Sequence, residues 1–259
     1  MNINFYKYQG TGNDFILIDD REAKYSGLTQ SQISFLCNRR FGIGADGLIL
    51  LQEEKDYDFK MKYFNADGNE STMCGNGGRC VVKFAHDLNI ISEKTCFVAI
   101  DGPHNAEVKN QLVRLKMKDV SEIKQVDDSF ILNTGSPHYV TFVDDADDIN
   151  VFFEGKKIRY SEPFNKEGIN VNFVAKTDDG IIVRTYERGV ENETFSCGTG
   201  VVASAIVNAI IEKTQENSIN IKTLGGTLKV ELNRNEKGFD NIWLIGPAEY
   251  VFKGQIELK

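Results

Sequence analysis

Two cysteines stand in matched surroundings. Residues 69–77 read Asn69-Glu70-Ser71-Thr72-Met73-Cys74-Gly75-Asn76-Gly77, and residues 192–200 read Asn192-Glu193-Thr194-Phe195-Ser196-Cys197-Gly198-Thr199-Gly200. The offset, 197 − 74 = 123, also aligns Tyr63 with Tyr186 and Thr11-Gly12 with Thr134-Gly135. A duplicated fold with one thiol per copy predicts a site served by both halves. Two like groups facing one substrate suit the inversion of a carbon centre. One group removes a proton as base and the other returns it on the opposite face as acid.

Each cysteine precedes a Gly-x-Gly turn followed by a helical pattern. At a helix N-terminus several backbone N–H groups lack intrahelical partners, and the macrodipole favours negative charge. The thiol pKa should therefore fall, bringing thiolate within reach near neutral pH. The N–H groups of Gly75-Asn76 and Gly198-Thr199 can also grip a carboxylate and stabilise enolate-like charge next to it. A lone cysteine reads first as a small buried hydrophobe, and that reading stands for Cys37, Cys80 and Cys96. For Cys74 and Cys197 the shared context argues against it. Metal binding fits poorly, because His86, His104 and His138 form no ligand-like pair and Cys74 and Cys80 lack zinc-hook spacing. Gly42-Ile43-Gly44-Ala45-Asp46-Gly47 matches a dinucleotide pattern but leads into the strand-like Leu48–Leu51 rather than a helix, so we read it as a turn beside the cleft.

The elements that must carry these residues are legible as patterns. Strand-like runs occur at Phe15–Ile18, Leu48–Leu51, Asp58–Tyr63, Val113–Met117, Ile181–Tyr186 and Ile242–Ile245, several alternating as half-buried antiparallel strands do. After the first box come Val81, Val82, Phe84, Ala85 and Leu88. After the second come Val201, Val202, Ala205, Ile206, Ala209 and Ile210, apolar nearly all round, as in a helix wrapped by its own sheet. Shorter helices are predicted at 29–39, from a Thr cap, and at 146–152. The expected class is α+β: two pseudo-symmetric halves, each a curved mixed, mainly antiparallel sheet around one central helix. The halves are expected at 1–118 and 119–249, with a C-terminal strand at 250–259 completing the first.

Composition narrows the partners. The chain has 259 residues, a net charge of −8 and a pI near 5.1, which disfavours a nucleic-acid or anionic-membrane partner. Its apolar stretch 201–211 is too short to span a bilayer. Five cysteines, an odd number, and an N-terminus without an apolar signal core fit a reducing cytoplasm.

Further motifs lie across nearly the whole chain: Gly10-Thr11-Gly12-Asn13-Asp14-Phe15, Phe64-Asn65-Ala66-Asp67-Gly68, Cys74-Gly75-Asn76-Gly77-Gly78-Arg79-Cys80, Gly135-Ser136-Pro137-His138, Asn170-Val171-Asn172-Phe173, Tyr186-Glu187-Arg188-Gly189 and Cys197-Gly198-Thr199-Gly200. With the 42–47 turn they closely resemble the diaminopimelate epimerase family. The resemblance implies the two-domain epimerase fold and a cofactor-free interconversion of LL- and meso-2,6-diaminopimelate, in lysine and peptidoglycan biosynthesis. It implies Cys74 and Cys197 as the acid–base pair, with His138 and Glu187 supporting catalysis. It assigns substrate contacts to Asn13, Asn65, Gly75, Asn76, Ser136, Asn170, Glu187, Arg188, Gly198 and Thr199. No metal or other cofactor is implied. The partner is the small-molecule substrate, without nucleic acid or membrane, and a homodimer is compatible.

The assigned chemistry agrees with the substrate. Arg188 can hold a distal carboxylate bidentately, Glu187 suits an ammonium, and asparagines read both halves of a zwitterion. The chain departs from the family twice: Ser136 stands where Asn is common, and Gly47 where some members carry Gln. Both predict fewer direct contacts to the distal head, or a water in their place. Proline racemases and hydroxyproline epimerases share the two-thiol logic but typically carry His where this chain has Asn76. Phenazine-biosynthesis-like isomerases lack the paired cysteines. A non-catalytic amino-acid-binding or thiol-redox protein on the same scaffold would not need the full polar constellation.

Overall fold

A computed structural model describes residues 1–213 and 217–258, so Lys259, the last residue of the predicted strand 250–259, lies outside the described residues. The chain forms two compact units, Met1–Leu115 with Gly246–Lys259, and Lys116–Ile245.

The first unit runs β1 (Asn2–Gly10), β2 (Asn13–Asp19), α1 (Gln30–Cys37), β3 (Gly47–Gln52), β4 (Lys60–Asn65), β5 (Glu70–Ser71), α2 (Gly75–Asp87), β6 (Lys94–Ala99), β7 (Gly102–Lys109) and β8 (Leu112–Lys116). The β1–β2 connection is two residues long, Thr11 (φ 51) and Gly12 (φ 82). Such a turn needs positive φ at both positions and matches the twist of the strands. It fixes Asn13 as the first residue of β2, paired with Gly10. β2 and β3 run parallel, Phe15 opposite Gly47 through Asp19 opposite Leu51. The runs Phe15–Ile18 and Leu48–Leu51, apolar throughout, are continuously buried and are not among those that alternate. The cause is cover on both faces, as for parallel strands generally.

One cover is α2, which touches β1, β2, β3, β4 and β7 and buries Gly75 through Val82 together with Phe84 and Ala85. The other is α1, whose Ile33, Leu36 and Cys37 pack with Ile3, Ile16, Ile18, Leu48 and Leu50. Thr29 and Gln32 close a capping box at its start. The helix stops at Cys37, short of the predicted residue 39, because Ile43 and Gly44 turn back to donate to Leu36 O.

The second unit repeats the plan: β9 (Ile123–Val126), β10 (Ser129–Asn133), β11 (Pro137–Phe142), α3 (Val151–Arg159), β12 (Asn170–Thr177), β13 (Gly180–Glu187), β14 (Asn192–Thr194), α4 (Gly198–Ile211), β15 (Ser218–Thr223), β16 (Gly226–Asn235) and β17 (Gly238–Pro247). β11 and β12 are parallel, with His138 opposite Asn170, which is the Phe15–Gly47 pair moved by the same offset. α4 is enclosed by its own sheet, touching β10, β11, β12, β13, β15 and β16. The helix predicted at 146–152 lies instead at Val151–Arg159. Asn150 caps it by accepting from Phe153 N–H, and the acidic run before it, Asp144 to Asp148, forms the approach. The last strand, β18 (Glu249–Glu257), returns to the first unit and pairs antiparallel with β1.

Candidate active site

Each unit presents one cysteine at the N-cap of its central helix, with extended backbone at Cys74 (φ −99, ψ 137) and Cys197 (φ −115, ψ 110). The first residues of each helix are glycines because the neighbouring strands press against them. A Cβ on Gly77 would already touch Phe15 and Ile49 at 3.4 Å, and one on Gly200 would run into the Asn172 amide oxygen.

In the first unit Gly77 N–H donates to Cys74 Sγ at 3.4 Å. Asn13 Oδ1 lies 3.8 Å from the sulfur and accepts from Asn76 Nδ2 at 3.3 Å. The Asn13 amide is oriented by Asp46, which accepts from its Nδ2 at 2.7 Å. Asp46 in turn is held by Arg39 at 2.7 Å. Asp14, bridged by Arg39 (2.6 Å) and Lys7 (2.7 Å), completes this ionic brace. Burial opposes the Asp14 charge, but hydrogen bonds from Arg39 and Lys7 outweigh it and hold the carboxyl at about 2. The 42–47 turn therefore acts through Asp46, as the support of Asn13. Asn65 ends β4 and is exposed. At Gly47 a Cβ would lie 2.6 Å from the Tyr63 ring and 3.1 Å from its hydroxyl. Tyr63 fills the space that a larger residue at 47 would need.

In the second unit Cys197 Sγ lies 3.5 Å from Thr199 Oγ1, and it makes no side-chain cap hydrogen bond. Thr199 Oγ1 meets His138 Nε2 at 2.8 Å, and His138 Nδ1 meets Asn172 Nδ2 at 2.9 Å. The polarity of this chain is fixed from its far end. Asn172 Nδ2 also donates to Tyr139 O at 3.2 Å, and its Oδ1 accepts from Thr185 Oγ1 at 3.0 Å. A carbonyl oxygen can only accept, so the amide is pinned, Nδ1 of His138 must accept, and Nε2 carries the proton to Thr199. Burial, and then the nearby Arg188 charge, push His138 from its ordinary 6.5 down to about 3. The imidazole is neutral at physiological pH.

Beside this relay lies a second polar group. Asn170 Nδ2 donates to Ser136 Oγ at 2.9 Å, and Asn170 Oδ1 accepts from Arg188 N–H at 2.9 Å. Arg188 Nη2 reaches Ser136 Oγ at 3.4 Å and Nη1 donates to Glu167 O at 2.9 Å. Glu187 accepts from Thr194 Oγ1 at 3.0 Å. Ser136, Asn170 and Arg188 are thus one connected set.

Within the first unit Asn13 and Asn76 gather at Cys74, and within the second Thr199 and His138 gather at Cys197. Sequence reading missed Asn172, Thr185, Tyr63 and the support residues Asp46 and Arg39. The available signal was at matched positions. The offset sets His138 against Phe15 and Asn172 against Ile49, two polar-for-apolar exchanges inside an otherwise repeated core.

Two α+β repeats, each with a sheet around a central helix, define the class of fold. The chain matches a Bacillus anthracis phenazine biosynthesis protein of the PhzF family (TM-score 0.79, 14% identity, 100% of each chain covered). It also matches a probable proline racemase from Agrobacterium radiobacter K84 (TM-score 0.69, 13% identity, 99% and 93% covered). The family model described as diaminopimelate epimerase matches residues 5–121 and 130–251. A diaminopimelate epimerase of Flavobacterium psychrophilum is 53% identical, covering 98% of this chain and 100% of its own. One from Chlorobaculum tepidum is 42% identical, covering 96% and 99%. The chain belongs to the diaminopimelate epimerase family.

Proposed function

We propose that this protein interconverts LL- and meso-2,6-diaminopimelate by a two-base mechanism, serving lysine and peptidoglycan biosynthesis. The observation that carries the reading is the pair of matched helix caps, Cys74 and Cys197, in a chain of this family. One sulfur acts as thiolate base on one face of the reacting carbon, and the other donates a proton on the opposite face. The labels exchange with the direction of reaction. The backbone N–H groups at the starts of α2 and α4 hold the α-carboxylate and stabilise the charge that develops as Cα–H is broken. Asn13, Asn65 and Asn76 read the polar groups around the reacting carbon. The connected set Ser136, Asn170 and Arg188, with Glu187, receives the distal amino-acid head. His138 acts through Thr199 on Cys197. No cofactor takes part.

A reducing compartment, the cytoplasm, suits the five free cysteines. No helix among the described residues is long and apolar enough to cross a membrane. A homodimer belongs to the same reading, favoured by Tyr250, Val251 and Phe252 exposed together on β18. A proline racemase activity is the second reading; Asn76 in the first box speaks against it.

The test is deuterium exchange. In heavy water the wild type should incorporate solvent deuterium at Cα of diaminopimelate, and Cys74→Ala or Cys197→Ala should lose epimerisation. Full epimerisation by either variant would overturn the assignment. Turnover of proline matching that of diaminopimelate would overturn the substrate.

A further inference from the structure

The turn that carries Arg188 ends on a glutamate in a position that favours glycine. It joins β13 to β14, and its last residue, Glu191, has positive φ (56). The repeat offset of 123 sets Glu191 against Gly68, the left-handed glycine (φ 84) of the corresponding turn, and sets Arg188 against Asn65. A side chain is disfavoured in left-handed backbone, and such positions persist where their surroundings hold them. The first unit carries the unstrained residue there. The second carries a carboxylate.

That carboxylate reaches three groups. Its Oε1 accepts from Gly189 N–H at 3.1 Å, which closes the turn on itself, while Glu191 N–H donates to Glu187 O at 2.8 Å. Its Oε2 accepts from the hydroxyl of the buried Tyr186 at 3.2 Å. Oε1 also lies 3.4 Å from Nε of Arg159, the last residue of α3. The turn, the core beneath it and the end of a helix thus meet at one side chain, and Arg188 lies inside the loop that it closes.

Arg159 is the second arginine at this place. A Cβ on Gly168 (φ 74) would lie 2.6 Å from Arg159 Cζ and 2.7 Å from Arg188 Cδ, so both side chains cross this one glycine. Two guanidinium charges repel each other, and their partners sort them. Arg159 is paired with Glu191 and lies over the Tyr160 ring, with Cζ 4.6 Å from its centroid. Among the described residues the Arg188 guanidinium donates only to neutral oxygens, Glu167 O and Ser136 Oγ. Its charge remains for an anion from outside, as recognition of a carboxylate by an arginine fork requires.

We propose that Glu191 is a positioning residue for recognition of the distal head: it buckles the turn at 188–191 and occupies Arg159, so that Arg188 is the arginine presented to the substrate's distal carboxylate. The inference rests on the distal-head role proposed above for Arg188 and names the group that sets it.

The test is a double-mutant cycle in steady-state kinetics with diaminopimelate. Glu191→Ala should raise KM about tenfold, the scale of losing an orienting partner, with kcat within about twofold of wild type. A merely structural defect would instead shrink the fraction of active enzyme, which lowers kcat and leaves KM alone. In an Arg188→Ala background the same substitution should change kcat/KM by less than about twofold, because the group it positions is gone. Additive effects of the two substitutions would overturn the proposal, as would a Glu191→Ala enzyme with the wild-type KM. Where Arg188→Ala is too slow to follow, the split between KM and kcat decides alone. Should Glu191→Ala fail to fold, Glu191→Gln keeps an acceptor for Gly189 N–H, lacks the charge for Arg159 and is judged in the same cycle. A wild type that does not turn over diaminopimelate would refute the reading of function, and the proposal with it. Additivity in an enzyme that does turn it over refutes the proposal alone.

Discussion

At the scale of single residues, the two helix caps are alike and what lies beneath them is not. Under Gly77 sit Phe15 and Ile49; under Gly200 sit His138 and Asn172. A buried histidine in an apolar setting needs both ring nitrogens satisfied, and Asn172 and Thr199 do that in one defined tautomer. Asn172→Leu should leave Nδ1 without its donor and free the tautomer. We expect kcat to fall by about 10- to 100-fold, as when other orienting groups are lost, with KM changed little. Steady-state kinetics checks the rate, and 15N NMR of the imidazole checks the cause. An unchanged kcat with a mixed tautomer would end this role for Asn172. The two cysteines stand out in the sequence because their boxes match, whereas His138 was marked only by the family resemblance of its motif. Asn172 lies inside the 170–173 motif, yet nothing local assigns it a role. Its meaning lies in the contact to His138, 34 positions away in sequence.

At the scale of elements, the strongly patterned pieces were legible and the weakly patterned ones shifted. α2 and α4 follow their boxes as expected, since a glycine-rich cap and a long apolar run leave few alternatives. α3 starts later than expected because Asp147 and Asp148 have low helix propensity, whereas Asn150 is a strong cap. Its packing carries a test. Gly155 faces the Tyr186 ring so closely that a Cβ there would clash with it, and Tyr186 is buried in the cluster of Val151, Ile169, Val171 and Phe173. Gly155→Ala gains helix propensity but must push the ring away, an overpacking cost of about 1–3 kcal/mol. The urea midpoint should drop, while exposed Lys156→Ala should stay within about 0.5 kcal/mol of wild type. A Gly155→Ala protein as stable as wild type would show that α3 is not seated by this contact.

At the scale of the whole molecule, the repeat was visible in the sequence because the offset preserves even the strand register at Phe15–Gly47 and His138–Asn170. The return of β18 to the first unit has a consequence for truncation. Leu258 is buried in the first unit's core, and its backbone exchanges hydrogen bonds with Met1 at 2.7 and 2.8 Å. Deleting residues 249–258 should strip protection from the amides of β1 and β2 in hydrogen exchange and leave β12 and β13 protected. Equal loss in both units would contradict the division. The units should also differ in acid. His138 has a folded pKa of about 3 against an ordinary 6.5, so the unfolded chain binds the proton more readily. Stability of the second unit is full above about 6.5 and declines as pH falls below it, by up to about 1.4 kcal/mol per pH unit, until the folded pKa is reached. Asp14 runs between an ordinary 3.8 and about 2, so its contribution to the first unit is lost only as pH falls below 3.8. From about pH 6.5 to about pH 4 the second unit should therefore soften while the first does not. Hydrogen exchange corrected for intrinsic rates would show it. His138→Gln, which cannot take up a proton, should flatten the slope in β11 and β12. If those strands keep their wild-type slope in His138→Gln, the acid sensitivity belongs to another group.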